Sequence, residues 1–212
     1  RLTTNVTGHF AFFVDEVFKM DVWMGFIYFL YIFSFFFGSF ISGFLVEWVS
    51  RKNDHRIYIF PTAIESGVLL ALAIFGSWLV VEGPNVFACI LLFAMGLQNS
   101  LVTKISNATV RTTHLTGLFT DLGIELSQMF FYREAEQQKK LLASIKLRFT
   151  IISFFFIGGI TGGIAYTSIG MPVLAIAGLT LLTGLIYDYV KLKVLLTRRS
   201  LTRKVYTKQR DL

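Results

Sequence analysis

Uncharged apolar runs alternate with short charged stretches along this chain, and that alternation sets the elements. A helix needs ~20 apolar residues to cross ~30 Å of hydrocarbon. Such runs extend from Trp23 to Val46, from Ile57 to Val81 with Glu65 as the one charge, and from Gly83 to Thr103. A fourth, from Phe149 to Tyr187, is too long for one span. Gly170 and Pro172 predict a turn within it, because Gly breaks helices and Pro is tolerated only in a first turn. The pattern therefore predicts five transmembrane helices. Two further apolar segments, Arg1 to Met20 and Thr112 to Tyr132, carry acids: Asp15 and Glu16 in one, Asp121 and Glu125 in the other. A lone carboxylate facing lipid is costly, so these segments face protein or do not cross fully.

The pattern repeats. Thr3 to Phe10 aligns with Thr112 to Phe119, identical at five of eight positions. In the same order Glu16 falls opposite Glu125, Phe35 to Gly38 opposite Phe155 to Gly158, and Gly43 opposite Gly163. Pro61 and Gly67 then match Pro172 and Gly178. Residues 1–82 form a first repeat, 83–190 a second, and 191–212 a basic tail. The second copy has a span ahead of its Thr-Gly segment, ending at Gly96-Leu97-Gln98-Asn99-Ser100. The expectation is that the matching span of the first copy precedes Arg1.

Charge chooses between two topologies. If the Thr-Gly segments do not cross, each repeat has three crossings and the second is inverted. With the C-terminus inside, 18 of the 20 basic residues then lie on the inner side; four crossings per repeat would put only 14 there. Lys and Arg concentrate on the cytoplasmic side, which favours the inverted arrangement. Transporters are often built from inverted repeats with interrupted helices.

Composition removes whole classes. Of the 212 residues, 54% are hydrophobic and only 16% charged, and mean hydropathy is +0.64. Soluble domains carry about 25% charge. The lone Cys89 excludes a disulfide scaffold. His9, His55 and His114 have no metal-ligand spacing with it. No nucleophile motif, P-loop or dinucleotide fingerprint is present, so neither an enzyme nor a cofactor is expected. The net charge of +7 and the basic stretch from Arg198 to Arg210 fit attraction to anionic lipid better than nucleic-acid binding.

The polar residues within apolar surroundings are the candidates for chemistry. Asp121 and Glu125 share a helical face and read as a cation or proton site, or as an interfacial pair solvated by headgroups. Thr4, Thr7 and Gly8, with Thr113, Thr116 and Gly117, offer hydroxyls and free N–H groups to a solute, or simply cap two helices. Gln98 and Asn99 read as solute ligands or as interhelical hydrogen bonders. Glu65 reads as a coupling carboxylate or, preferably, as an acid complementing a helix N-terminus near the cytoplasmic surface. Gly38 and Gly43, and their counterparts Gly158 and Gly163, form small-residue seams expected to pack the two repeats together.

Gly96-Leu97-Gln98-Asn99-Ser100, then Arg111-Thr112-Thr113-His114-Leu115-Thr116-Gly117 and Thr120-Asp121, resemble the signature of the YoaK-like family. These are small bacterial inner-membrane proteins named for a domain of unknown function. The resemblance covers essentially the whole chain. The family's first Thr-Gly-Asn reads Thr7-Gly8-His9 here, and its first helix, with a Gly-x-x-Asp-Ala pattern, is absent. The resemblance implies a bacterial inner-membrane location and brings no substrate.

The resulting expectation is an all-α polytopic membrane protein. It has two inverted repeats of three transmembrane helices, each with a Thr-Gly re-entrant or interfacial helix, and lacks its first helix. Its expected role is a transporter or channel for a small polar or ionic solute. The alternative is a non-transporting assembly subunit or scaffold that binds another membrane protein. Expected partners are the lipid bilayer, the solute, and a second copy or a membrane partner.

Overall fold

A computed structural model describes residues 6–51, 57–105 and 115–210, with backbone alone for 105 and 192–210. Seven helices account for them: α1 (Val6–Phe18), α2 (Val22–Ser50), α3 (Ile59–Glu82), α4 (Pro84–Ile105), α5 (Leu115–Gln128), α6 (Ala135–Ile169) and α7 (Val173–Arg210). Among them α2, α3, α4, α6 and the Val173–Lys191 part of α7 are long and apolar enough to cross a membrane.

Local chemistry explains the boundaries. Asp21 caps α2, its carboxylate accepting the Met24 N–H at 3.0 Å. Gly83 ends α3, and Pro84 opens α4 where its missing N–H costs nothing. Gly170 ends α6 at φ +67°, a left-handed conformation that suits a residue without Cβ. The turn expected around Gly170 and Pro172 is therefore present. One start differs: α6 begins at Ala135, well before Phe149. The Glu-, Gln- and Lys-rich stretch ahead of Phe149 is made of good helix formers, and Lys140 pairs with Glu136 at 2.8 Å. In the same way α7 continues as helix past position 191, into the basic stretch, as far as Arg210.

The most extensive packing joins α2 to α4. It is possible because two glycines meet it from either side. A Cβ on Gly38 would collide with the Phe93 carbonyl oxygen, and one on Gly96 with that of Phe35. The Ser39 hydroxyl donates to the Gly96 carbonyl at 3.1 Å across this crossing. A second crossing joins α3 to α7, where the buried Ser66 hydroxyl donates to the Gly178 carbonyl at 2.7 Å. Above the first crossing Ile27, Tyr31, Ala88 and Leu92 form the core, and the Tyr31 hydroxyl donates to Asn85 Oδ1 at 2.7 Å. On the outside of α2, Phe29, Phe33, Phe36, Phe40 and Phe44 form an exposed stripe. Such a face suits hydrocarbon rather than water.

The short helices each lie on the next long one: α1 on α2 and α5 on α6. At 1.5 Å per residue their 13 and 14 residues reach roughly 20 Å, short of the ~30 Å hydrocarbon layer. Each buries one residue, His9 in α1 and Leu118 in α5. The register that sets Glu16 opposite Glu125 also sets His9 opposite Leu118.

The glycine seams do not meet each other. The α2 seam lies on α4, where a Cβ on Gly43 would sit 3.6 Å from the Ser100 hydroxyl. The α6 seam lies open: a Cβ on Gly158 or Gly163 would meet nothing within 4 Å. Among the described residues α6 packs only on α5 and, lightly, on α7, so its seam has no helix against which to close.

Candidate functional site

Because α6 stands off from α3 and α4, a cavity of about 740 Å³ opens between α3, α4, α6 and α7. Glu65 of α3 and Gln98 of α4 are among the residues lining it. Glu65 is held there by the α3–α7 crossing: its neighbour Ser66 is fixed to Gly178, and Glu65 itself is only 5% exposed. Thr161 of α6 and Thr180 of α7 complete the polar lining, and the remaining walls are apolar or glycine. The Thr161 hydroxyl donates to the Ile157 carbonyl and the Thr180 hydroxyl to that of Ile176, each at 2.7 Å. With those protons occupied, both oxygens offer lone pairs. Among the described residues Glu65 has no hydrogen-bond or ion-pair partner, and it is the only ionisable side chain in the lining.

The acids expected to form a cation site stand elsewhere and are paired within the chain. Arg148 of α6 donates from Nη1 to Asp121 at 2.8 Å and from Nε to Glu125 at 3.0 Å. The Ser144 hydroxyl donates to the other Glu125 oxygen at 2.7 Å. One guanidinium thus answers both carboxylates, and the cluster clamps α5 to α6 rather than presenting unmatched charge. The spacing of four between the acids predicts a shared face; it gave no sign of the basic partner, which lies on another helix at the edge of an apolar run.

The remaining candidates are dispersed. Thr7 is exposed and Gly8 partly buried on α1, and Thr116 is exposed on α5 beside a partly buried Gly117. The Thr116 carbonyl accepts from Thr120 at 2.9 Å, an ordinary helical back-bond. Thr4 and Thr113 lie outside the described residues. Asn99 is not among the cavity-lining residues although Gln98 is, since successive positions on a helix point about 100° apart. Of the residues preferred for a solute site, Gln98 alone lines the cavity. Glu65, which the sequence offers as a coupling carboxylate or, preferably, as an acid complementing a helix N-terminus, is buried in the structure. The signal for it was its place as the only charge in an otherwise uncharged run.

Outside the spans, Lys19 closes the α1–α2 turn on Asp15 and Glu16. Hydrogen bonding to Asp15, then to Glu16, holds its ammonium above the ordinary lysine pKa.

Membrane-length helices, a hydrocarbon-suited Phe face and a cavity with a buried carboxylate define a helical, multi-pass membrane protein. The chain belongs to the DUF1275 family of proteins of unknown function, whose profile matches residues 1–187 and which includes the YoaK-like proteins. No curated protein and no solved structure matches it.

Proposed function

We propose that the protein carries a small polar or ionic solute across a membrane, as a transporter or channel. The observation that carries this reading is the cavity, where a buried Glu65 and a partly buried Gln98 stand among helices long enough to cross the bilayer. Ionisable groups at such depth are expensive and mark solute or ion pathways. The cavity draws walls from both halves of the chain, α3 from the first and α4, α6 and α7 from the second. In this reading the halves are inverted repeats, and α1 and α5 are interfacial helices on opposite faces. Supporting it are their similar lengths, their shared placement on the following helix, and the burial of matched positions 9 and 118. The basic-residue distribution favours a cytoplasmic C-terminus, and the YoaK-like resemblance favours the bacterial inner membrane.

Proteoliposomes holding the purified protein test this. Loaded with ions, amino acids, sugars and organic acids in turn, they should release one class faster than protein-free vesicles. Ala177→Trp, which puts bulk into the cavity wall, should slow that release. Folded protein that releases none of them would defeat the reading. A non-transporting scaffold is the second reading, favoured by the open glycine seam of α6. It predicts a co-purifying membrane protein that is lost on Gly163→Leu.

A further inference from the structure

The cavity's chemistry narrows the solute. We infer that it binds an organic ammonium ion with an apolar body, a lipophilic amine, with Glu65 as the counter-charge; this rests on the solute-carrying reading above. Four observations support the assignment. First, Glu65 is nine-tenths buried, lines the cavity, and has no partner among the described residues. A carboxylate withdrawn from water is either protonated or met by a counter-charge, and no Lys, Arg or His lies in the lining to supply one. An anionic solute would meet repulsion instead.

Second, the lining is rich in acceptors. The Thr161 and Thr180 protons are taken by their own helices, and an ionised Glu65 accepts only, so the Gln98 amide is then the one side-chain donor. Ammonium N–H groups are the matching donors. Third, the oxygen set is too sparse for a bare metal ion. Calcium takes about six to eight oxygens and magnesium demands an octahedron. Here one carboxylate, one amide and two hydroxyls are scattered among Leu, Ile, Val, Met and Ala. Fourth, the volume of about 740 Å³ far exceeds an ammonium group and falls in the range of drug-sized ligand sites. The apolar walls would bury the rest of the molecule. Entry from the bilayer is available along α6, whose Gly158 and neighbouring Gly159 have nothing packed on them.

Three probes of similar shape and different charge test the inference: phenethylamine, phenylethanol and 3-phenylpropionate. Binding to the purified full chain in detergent is measured by calorimetry at neutral pH. The amine should bind, and neither the alcohol nor the acid should displace it. Glu65→Gln should weaken amine binding roughly thirtyfold or more, the effect of removing one partner of a desolvated charge pair. Gel filtration and the melting profile should remain unchanged. Equal binding of amine and alcohol, preference for the acid, or no binding of the amine would each overturn the inference. So would full amine affinity in a folded Glu65→Gln. Should that variant not fold, the charge preference of the unmodified protein decides. Vesicle release keeps the two readings apart: release of a sugar or anion without amine binding rejects the amine and retains the transporter.

Discussion

Breaking the α5 clamp at Arg148 should loosen one helix and leave the rest of the bundle in place. Among the described residues α5 packs only on α6, and Leu118 is its single buried residue. The clamp therefore carries much of its attachment. Its two arms differ in environment. Glu125 and Arg148 keep 14% and 18% of their side-chain surface exposed, whereas Asp121 keeps 51%. Removing one member of a fully buried pair costs about 3–5 kcal/mol. Partial exposure and the remaining Ser144 hydrogen bond bring the Glu125 arm down to about 2 kcal/mol. The Asp121 arm, screened by water or headgroups, should contribute under about 1 kcal/mol. Hydrogen exchange across α5 in nanodiscs measures the opening. Arg148→Met removes both arms, about 2–3 kcal/mol, and should speed exchange there by roughly thirty- to a hundredfold, at about 1.4 kcal/mol per factor of ten. Double-mutant cycles with Glu125→Gln and Asp121→Asn should give couplings in the ratio of these two arms. Equal couplings, or a Glu125 coupling below about 0.5 kcal/mol, would refute the reasoning and leave apolar contact through Leu118 as the attachment.

Other outcomes follow from the same contacts. Raising salt from low to molar concentration should speed exchange in α5 more than in α1, because α1 meets α2 through rings and its ion pairs, Lys19 with Asp15 and Glu16, lie only at its C-terminal turn. Gly38→Ala should lower the melting temperature sharply, by about 3 kcal/mol of stability, since the new methyl meets the Phe93 backbone, which cannot rotate away. Gly158→Ala meets nothing within 4 Å and should be neutral or slightly stabilising by the same assay. Tyr31→Phe should cost about 1 kcal/mol through loss of the hydrogen bond to Asn85, seen as a smaller shift in melting.

The spans were legible because lipid imposes one rule, an uncharged run of sufficient length, and Val22–Ser50 and Ile59–Glu82 obey it within a few residues of the expected ends. The start of α6 was not, because hydropathy marks where a helix enters hydrocarbon and says nothing of helix continuing into water. The candidate site was legible in one residue out of its pair. Gln98 stood out as an amide at the end of an apolar run. For Glu65 the sequence leaves two readings open, because one-dimensional position near a helix start cannot report which face α7 covers. Pairing across helices was invisible for the same reason: nothing local to Asp121 or Glu125 indicates that Arg148 will arrive beside them.

The short helices show what repetition in this chain preserves. In the register that matches Glu16 to Glu125, Phe12 stands opposite Asp121, and in the register that matches Phe35 to Phe155, Tyr28 stands opposite Arg148. In the first half Phe12 stacks on Tyr28, with centroids 5.4 Å apart. In the second half Asp121 meets Arg148 at 2.8 Å. The same two positions tether the short helix to the long one, by ring stacking in one copy and by an ion pair in the other. Positions 9 and 118 agree as well: His9 is buried against Tyr31, with centroids 5.1 Å apart, and Leu118 is buried in α5. A contact that keeps its place while its chemistry changes is required by geometry rather than by a shared ligand. A common solute site in the two Thr-Gly segments would need matched chemistry, and their tethers do not have it. The segments are better read as struts on α2 and α6, and the proposed solute site lies where the long helices part, around Glu65.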